Sequence, residues 1–384
     1  YKSDALGNII EQTEPRGAVT SYKYNKLDLI IEETNPEGAV TKYTYDERTN
    51  LIETEGYNKV KVKSEYNLKD ELIKKTDAYG IETVYSYDER GNVISCEEKG
   101  RDLGDRKITY TYDEFNRLIK QEQPGQATVA YTYDDKDRVL TEAVGERKVT
   151  YTYDKAGRVL TQRDSNGLVT SYTYDSNNNV LTESTDGLTT TYAYDANGNL
   201  SSTTTPSGIT QRNEYDKDGN LVAEYDGKGN ATFYTYDRAN NVVGITDKEG
   251  NKSCYVYDAN GNLLAMTDTN DVTSRYAYDV MNRLIKVAEP DEVFVFYKYD
   301  KSGNMVKELT CDEEMDYSLF TGKSSKKEVN YKYSKTGELT AVISADTTSE
   351  LYEYYNDGSL KKTIYPSGKT QEVSYDAFGN TKAV

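Results

Sequence analysis

The chain has 384 residues with no His, no Trp, three Cys and 38 Tyr, and its 47 basic and 65 acidic residues give a formal net charge of −18. The missing His excludes Ser-His-Asp and Cys-His hydrolysis and His-ligated zinc. The acidic surplus argues against a nucleic-acid partner, which needs clustered Lys and Arg, and no run of 18 apolar residues is present to span a bilayer. The mean hydropathy of −0.84 favours disorder, whereas the many tyrosines favour strands.

The order of the residues resolves this conflict, because the dipeptide Tyr-Asp or a close variant recurs along the whole chain. Its second residue lies at Asp4, Asn25, Asp46, Asn67, Asp88, Asp113, Asp134, Asp154, Asp175, Asp195, Asp216, Asp237, Asp258, Asp279, Asp300, Ser334, Asn356 and Asp376. Eleven of the 17 intervals are 21 residues, three are 20 and one is 22, and the two exceptions are 25 and 34. The chain is therefore predicted to be a tandem repeat array.

Each Tyr-Asp site is predicted to be a hairpin turn. The residue after Tyr is Asp in 14 of 18 units, and the residue three positions later is Gly in nine units and Asn or Asp in seven. This pattern is typical of a type I turn followed by a left-handed residue and a G1 bulge. Thr49 departs from the pattern, and the Asn356 unit is one residue short, with Gly358 early.

Two short strands flank this turn. Tyr precedes it in 17 of 18 units and recurs two positions earlier in 14, so 31 of the 38 tyrosines share one strand face. An aliphatic residue such as Leu118, Val159 or Leu200 follows the turn. A second turn is marked by Gly17, Gly38, Gly80, Gly167, Gly208, Gly229 and Gly250. We therefore predict an all-β fold in which tandem antiparallel hairpins of about 21 residues form a spiralling, curved or hollow β-sheet shell.

The repeat unit resembles the Rhs or YD repeat of bacterial polymorphic toxins, wall-associated proteins, insecticidal Tc toxin components and animal teneurins. The clearest copies are Tyr194–Leu200 and Tyr257–Leu263, both of which read YDANGNL, and the resemblance covers essentially residues 1–384. It implies a spiralling sheet that closes into a hollow cocoon. In the bacterial members such shells commonly enclose a C-terminal toxic domain until delivery.

We expect residues 1–384 to be a single continuous array and a fragment of a larger shell, with a small insertion at 94–106 and a larger non-repeat insertion at 310–328. The sequence does not begin with Met and contains no Asp-Pro dipeptide of a self-cleaving core. We therefore expect neither a signal peptide nor a divergent toxin tail in this stretch. For the larger insertion a tolerated surface loop is favoured over a lumen plug, a partner contact or an edge cover.

Several features have a simpler explanation than chemistry. The turn at Asp216–Asn220 superficially matches a calcium loop, but an EF-hand needs Glu at its twelfth position, where Gly227 stands. Paired carboxylates such as Glu32 and Glu33 are too common here to indicate a glycosidase. We therefore predict no catalytic residue, no cofactor and no specific metal site.

The cysteines are predicted to be free thiols. Cys96, Cys254 and Cys311 are odd in number, lie more than 50 residues apart and form no CxxC motif.

The preferred interpretation is a non-enzymatic scaffold whose wall encloses or carries a C-terminal, toxin-like polypeptide for secretion or contact-dependent delivery. The alternative is a cell-surface adhesion or carbohydrate-binding module that uses exposed Tyr faces. The expected partner is a polypeptide cargo or a cell-surface glycan or protein, and the expected location is secreted, cell-surface or cell-wall-associated. Cross-strand aromatic pairing is the structural explanation of the same repeated tyrosines. The residues predicted to face cargo or glycan are Tyr172, Tyr174, Tyr192, Tyr194, Tyr234, Tyr236, Tyr255, Tyr257, Tyr276 and Tyr278.

Overall fold

The computed structural model describes residues 1–314, 317 and 325–383. It contains two compact units, each described here by itself. Unit 1 comprises Tyr1–Lys107, Asp258–Leu264 and Thr273–Val384, and unit 2 comprises Ile108–Tyr257 and Ala265–Val272. Of the 37 strands in the described residues, 35 belong to one antiparallel sheet and two form a separate ribbon. The predicted all-β array of tandem antiparallel hairpins is confirmed.

The strands run in chain order and are mostly five to seven residues long. They are β1 (Lys2–Ser3), β2 (Ile9–Thr13), β3 (Val19–Tyr24), β4 (Ile30–Thr34), β5 (Val40–Tyr45), β6 (Leu51–Glu55), β7 (Lys61–Tyr66), β8 (Leu72–Thr76), β9 (Glu82–Tyr87), β10 (Val93–Lys99), β11 (Arg106–Tyr112), β12 (Leu118–Glu122), β13 (Val129–Tyr133), β14 (Val139–Val144), β15 (Arg147–Tyr153), β16 (Val159–Arg163), β17 (Val169–Tyr174), β18 (Val180–Thr185), β19 (Leu188–Tyr194), β20 (Leu200–Thr204), β21 (Thr210–Tyr215), β22 (Leu221–Tyr225), β23 (Ala231–Tyr236), β24 (Val242–Thr246), β25 (Lys252–Tyr257), β26 (Leu263–Thr267), β27 (Thr273–Tyr278), β28 (Leu284–Ala288), β29 (Phe294–Tyr299), β30 (Met305–Cys311), β31 (Ser325–Tyr333), β32 (Leu339–Ser344), β33 (Ser349–Tyr354), β34 (Leu360–Ile364), β35 (Thr370–Glu372), β36 (Ser374–Tyr375) and β37 (Thr381–Ala383).

The Tyr-Asp turns, called aspartate turns below, have the predicted geometry. In the turn that begins at Asp258, the N–H of Gly261 donates to the Asp258 carbonyl at 3.1 Å, and the N–H of Asp258 donates to the Asn262 carbonyl at 2.9 Å. Oδ1 of Asp258 accepts the N–H groups of Asn260 and Asn262, each at 2.9 Å. Gly261 has a φ of 83°, which glycine adopts without steric cost. One carboxylate therefore satisfies two backbone donors and fixes the turn.

Two of the three 20-residue intervals come from shorter second turns. Gly145-Glu146 and Asp186-Gly187 are two-residue hairpin loops. Gly145 has a φ of 60°, as the first central residue of a type II′ turn requires, whereas Asp186 and Gly187 have φ values of 52° and 78°, as in type I′. Most of the other second turns repeat the geometry of the aspartate turns, for example with the N–H of Gly17 donating to the Glu14 carbonyl at 2.8 Å.

The predicted short unit at Asn356 is wrong, because the turn there begins one residue earlier. The N–H of Gly358 donates to the carbonyl of Tyr355 at 3.1 Å, so Tyr355 and not Asn356 occupies the aspartate position. The steps from Ser334 to Tyr355 and from Tyr355 to Asp376 are then both 21 residues. This shift leaves the side chain of Asn356 available for a different contact.

That contact belongs to a seam within unit 1, where second turns of residues 1–107 meet turns of residues 258–384. Nη1 of Arg16 lies 2.6 Å from Oδ2 of Asp258, and Tyr79 donates to Oε1 of Glu338 at 2.6 Å. The residue that follows the left-handed Gly of these second turns becomes buried, with Ala18 4% exposed and Ile81 6% exposed. Edge-to-edge contact therefore buries residues at the margin of the thin sheet.

The small insertion forms the strongest part of this seam. Arg101 donates to Oδ2 of Asp357 at 2.7 Å and to the Ala377 carbonyl at 2.6 Å, and the side chains of Arg101 and Asp357 are each only 7% exposed. Asn356 donates its amide to the Gly100 carbonyl at 2.6 Å, and its Oδ1 accepts the N–H of Asp102 at 2.7 Å. We call residues Gly100–Asp102 with Asn356 and Asp357 the clasp.

Nine of the 19 residues of the predicted larger insertion, 315, 316 and 318–324, lie outside the described residues. Of the described remainder, Tyr317 packs against the buried cluster of Phe296, Leu309 and Cys311, and its hydroxyl donates to the Tyr297 carbonyl at 2.8 Å. These contacts attach the insertion to the sheet at this point.

We predict that Arg101→Ala lowers the free energy of unfolding of unit 1 by about 3 kcal/mol, because it leaves the buried Asp357 carboxylate without its ion-pair partner. Urea unfolding followed by circular dichroism measures the change. The matched control is Lys61→Ala, which breaks a more exposed pair with Glu53 and should cost less than about 1 kcal/mol. Equal effects of the two substitutions would contradict a buried clasp.

We also predict that Thr49→Gly raises the free energy of unfolding by about 1 kcal/mol, because Thr49 holds a φ of 73°, which is unfavourable for a β-branched residue. Thermal unfolding checks this result. Asn116→Gly is the control, since Asn116 has a φ of 63° but Asn tolerates that conformation, and its effect should be clearly smaller. A loss of stability in Thr49→Gly would show that the turn is not strained.

Candidate functional site: the tyrosine face

The ten predicted tyrosines are all half-buried and alternate with more exposed residues along their strands. In unit 2, Tyr172 and Tyr174 flank the exposed Thr173 on β17, and Tyr192 and Tyr194 flank the exposed Ala193 on β19. Tyr234, Tyr236, Tyr255 and Tyr257 repeat this arrangement on β23 and β25. Tyr276 and Tyr278 lie on β27 in unit 1. We call the surface formed by these positions in each unit the tyrosine face.

In most repeats the hydroxyl of the tyrosine just before the aspartate turn fixes the ring. Tyr174 donates to the carbonyl of Val159 at 2.8 Å, Tyr194 to that of Val180 at 3.0 Å, and Tyr236 to that of Leu221 at 2.7 Å. The acceptor is in each case the first residue of the strand that follows the preceding aspartate turn. Each ring therefore lies across the previous hairpin and binds one repeat to the next.

Cross-strand aromatic pairing would place tyrosines directly opposite one another, but aliphatic residues lie opposite these tyrosines. Tyr174 lies opposite Val180, and Tyr194 lies opposite Leu200. In some repeats a cationic side chain lies over the ring, as where the guanidinium of Arg158 lies 4.6 Å from the centre of the Tyr174 ring. The rings are thus held by hydroxyl bonds, aliphatic neighbours and Arg.

In several repeats the tyrosine two positions before the one at the turn contacts a carboxylate. Tyr192 donates to Oε2 of Glu183 at 3.3 Å, and Tyr43 donates to Oε2 of Glu33 at 3.0 Å. Burial, and then Glu33, raise the pKa of Tyr43 to about 12, and burial with Glu183 raises the pKa of Tyr192. The tyrosine face therefore combines phenols with carboxylates.

The opposite face has a different chemistry. The hydroxyls of Thr173 and Thr182 lie 2.6 Å apart, and Lys23 donates to Oε1 of Glu32 at 2.6 Å. Such cross-strand pairs are exposed, and each contributes at most about 1 kcal/mol. The two faces of the sheet are therefore distinct. The paired tyrosines repeat on one face, whereas the other carries these polar pairs and isolated aromatic residues such as the exposed Phe233.

A second link between repeats gives no obvious signal in a single unit. Asn8 donates to Oδ1 of Asp28 at 2.8 Å, and Asn220 donates to Oδ1 of Asn240 at 3.0 Å. In each pair, the residue four after the aspartate position contacts the left-handed residue of the next turn. The spacing between repeats does indicate this link. Where Asp or Asn replaces Gly at the left-handed position of a turn, an Asn or Arg usually stands 20 residues earlier, as Arg117 does before Asp137.

The turn carboxylates are engaged within their own turns. The side chain of Asn262, with the turn N–H groups, lowers the pKa of Asp258, and Arg138 is the main cause that lowers the pKa of Asp134 to about 2. Over residues 1–314 and 325–383, no three Cys, Asp or Glu side chains come together as metal ligands. Nor does the described part of the chain contain a helix long and apolar enough to cross a bilayer. The three cysteines are free thiols.

Comparison with protein families gives two matches. The family model described as teneurin YD-shell matches residues 2–147 and 223–320, and that described as RHS repeat matches 153–187 and 174–210. No curated protein matches the sequence.

Solved structures show the same fold. The crystal structure of TcdB2-TccC3-TEV superimposes with a TM-score of 0.79 at 14% identity, over 96% of this chain and 23% of that chain. That of TcdB2-TccC3 without its hypervariable C-terminal region gives 0.79 at 16% identity, over 100% and 24%. The Photorhabdus luminescens Tc holotoxin pore gives 0.75 at 14% identity, over 95% and 23%. The chain thus spans about a quarter of these structures.

We predict that tyrosine ionisation destabilises the fold at alkaline pH. Because the pKa of Tyr43 is raised from 10.0 to about 12, its contribution to stability is complete below pH 10 and is lost as the pH rises towards 12. The difference in unfolding free energy between the wild type and Tyr43→Phe should therefore fall over this range in urea titrations. Thr54→Ser, at the residue opposite Tyr43, does not titrate and is the control. A pH-independent difference for Tyr43→Phe would contradict the assigned environment.

Proposed function

Because the chain belongs to the teneurin YD-shell family, we propose that it is a length of structural wall that encloses or carries a polypeptide cargo. The family membership and the shared fold support a scaffold role. The proposal adds that the wall acts by confinement, keeping a C-terminal, toxin-like polypeptide unfolded or inactive until secretion or contact-dependent delivery. We accordingly propose a secreted or cell-surface location.

The observation that carries the proposal is the repetition of the tyrosine face. An enzyme concentrates its acid, base or nucleophile at one place, whereas here the same phenol and carboxylate pair recurs, as Tyr43 with Glu33 and Tyr234 with Glu224. A repeated surface of this kind suits many weak contacts with an extended chain. Half-buried rings would accept apolar and aromatic side chains, and the carboxylates would accept Lys and Arg.

The anchoring of the tyrosine rings also supports confinement. The ring edges of the tyrosines are anchored by bonds such as that from Tyr174 to the Val159 carbonyl. An anchored ring loses little further freedom when a cargo chain contacts it, which lowers the entropic cost of binding. The carboxylates make basic, unfolded polypeptides the favoured cargo.

A glycan is the second candidate ligand. Tyrosine rings beside acidic side chains, as at Tyr192 and Glu183, are also suited to stacking and hydrogen bonding with sugars. An adhesion module would use the same tyrosine face and would need no enclosed volume. The two functions are separated by ligand class.

The test measures binding of a fluorescent, unfolded, basic polypeptide by anisotropy. We expect Tyr172→Ser, Tyr192→Ser and Tyr234→Ser combined to weaken binding at least tenfold. The matched control combines Thr132→Ser, Thr152→Ser and Thr173→Ser on the opposite face, which should leave binding unchanged. Circular dichroism confirms that both variants remain folded.

A glycan array with the same three proteins provides the second measurement. Sugar binding that the tyrosine substitutions abolish, without polypeptide binding, would overturn confinement in favour of adhesion. Absence of both kinds of binding would contradict any ligand role for the tyrosine face.

A further inference from the structure

The seam of unit 1 brings together two different edges of the repeat. One is the row of second turns and the other is the row of aspartate turns. On the first edge, Ala18, Ala39 and Ile81 follow the left-handed Gly and are buried. On the second edge, Arg283 forms an ion pair with Glu37, which precedes Gly38 in a second turn. A buried residue after Gly and an Arg–Glu pair are therefore the signature of joined edges.

In unit 2 the residue that follows the second turn is exposed, and it is apolar in four repeats, whereas Asn230 and Asn251 occupy it in two others. Leu168 is 47% exposed, Leu188 65%, Ile209 51% and Val272 41%. Leu168 and Ile209 follow a left-handed Gly as Ala18 does, Leu188 follows a two-residue turn, and Val272 follows the left-handed Asp271. Isolated exposed leucines need no explanation, but Leu168, Leu188 and Ile209 belong to three successive repeats and so form an apolar row suited to a partner.

The aspartate turns of unit 2 carry the other half of the interface. Arg158 binds its own turn through Nε and Asp154 Oδ2 at 2.7 Å, and it reaches the Asp175 carbonyl through Nη1 at 2.8 Å. Its guanidinium lies 4.6 Å from the Tyr174 ring centre. Arg283 makes the equivalent contacts with Asp279, the Asp300 carbonyl and the Tyr299 ring, and in addition gives Nη2 to Glu37.

Arg117 and Arg138 repeat this geometry. Each bonds through Nε to the aspartate four residues earlier, at 2.7 Å and 2.6 Å, and lies over the next Tyr ring at 4.8 Å and 4.5 Å. Three guanidinium groups therefore stand in a row, oriented as Arg283 is. On the second-turn edge of the same unit, Glu249 precedes Gly250 as Glu37 precedes Gly38.

We propose that unit 2 is a docking surface for a second copy of this chain, with the aspartate-turn edge of one copy packed against the second-turn edge of the other. The two edges of unit 2 are the complementary halves that unit 1 has already joined. In the complex, Arg117, Arg138 or Arg158 binds an acidic second turn such as that of Glu249. Leu168, Leu188, Ile209 and Val272 become buried against the facing turns.

Such a contact joins unlike surfaces, so it propagates. In a pair of copies, one keeps its second-turn edge unused and the other keeps its aspartate-turn edge unused, and a heterologous interface of this type extends to linear assemblies unless rotation closes it. The net charge of −18 opposes association, but at 0.15 M ionic strength charges more than about 8 Å apart are largely screened. The contact should therefore strengthen when salt is raised from low ionic strength to this value.

The experiment is sedimentation velocity on the whole chain up to about 1 mM, which detects weak interfaces. We expect the mass of the wild type to rise with concentration. Leu168→Asp, Leu188→Asp and Ile209→Asp combined should weaken association at least tenfold, because charged side chains would have to be buried. Val256→Asp is the matched control, since Val256 is an equally exposed aliphatic on a strand and not on the edge.

A mixing experiment tests the pairing of unlike edges. A second variant, Arg117→Gln with Arg138→Gln and Arg158→Gln, removes the guanidinium row and should not associate by itself. We call the combined Leu168→Asp, Leu188→Asp and Ile209→Asp protein the leucine-edge variant. When the two variants are mixed, the Arg variant contributes an intact second-turn edge and the leucine-edge variant an intact aspartate-turn edge, so a dimer and nothing larger should form. Circular dichroism controls for folding, and the exposed leucine-edge variant tests the proposal even if the Arg variant unfolds.

A wild type that remains a single chain at every concentration would overturn the proposal. So would a leucine-edge variant that associates as the wild type does, or a mixture that fails to form the dimer. Association abolished equally by Val256→Asp would also overturn it, because it would place the contact on the face of the sheet instead of its edges.

Discussion

The aspartate carboxylate at the start of each Tyr-Asp turn is the interaction on which the rest of the structure depends. Its Oδ1 holds two backbone N–H groups of the turn, as Asp258 does for Asn260 and Asn262. This fixes the left-handed residue and the bulge that follow, and with them the strand register. Because register decides which side chains share a face, the same turn also places the tyrosine before it on the same face in successive repeats, and its hydroxyl reaches the previous hairpin.

The departures from the regular repeat build one group of long-range contacts, the clasp. The turn that starts at Tyr355 has no carboxylate at its first position, and the one-residue shift frees Asn356 for the clasp. A Cβ on Gly358 of this turn would lie 2.8 Å from the Tyr79 hydroxyl, so the shifted turn also needs glycine for the seam to close. Regular repeats thus create the tyrosine face and part of the seam, as where Arg16 contacts Asp258, and irregular repeats add the clasp.

Local features of this fold follow from the sequence, and distant ones do not. The period, both turns and the shared tyrosine face follow from residue spacing alone, since each lies within one unit. Tyr355 was also predictable, because starting that turn there makes both neighbouring steps 21 residues. The clasp was not, since Arg101 and Asp357 are 256 residues apart and nothing in either turn indicates the other. The roles of the tyrosine hydroxyls depend on which strand is the neighbour, which a single unit does not reveal.

A sheet with two wetted faces cannot depend on a large core, and the fully buried cluster of Phe296, Leu309 and Cys311 is correspondingly small. Its stability must come from many similar bonds of about 1 kcal/mol each, distributed along the array. In such a structure the loss of one repeat's contacts is tolerated, while a single precise site would have little support around it. The same property makes the molecule suited to a wall: contact chemistry that recurs in successive units can hold a chain of any sequence register without specifying one binding position.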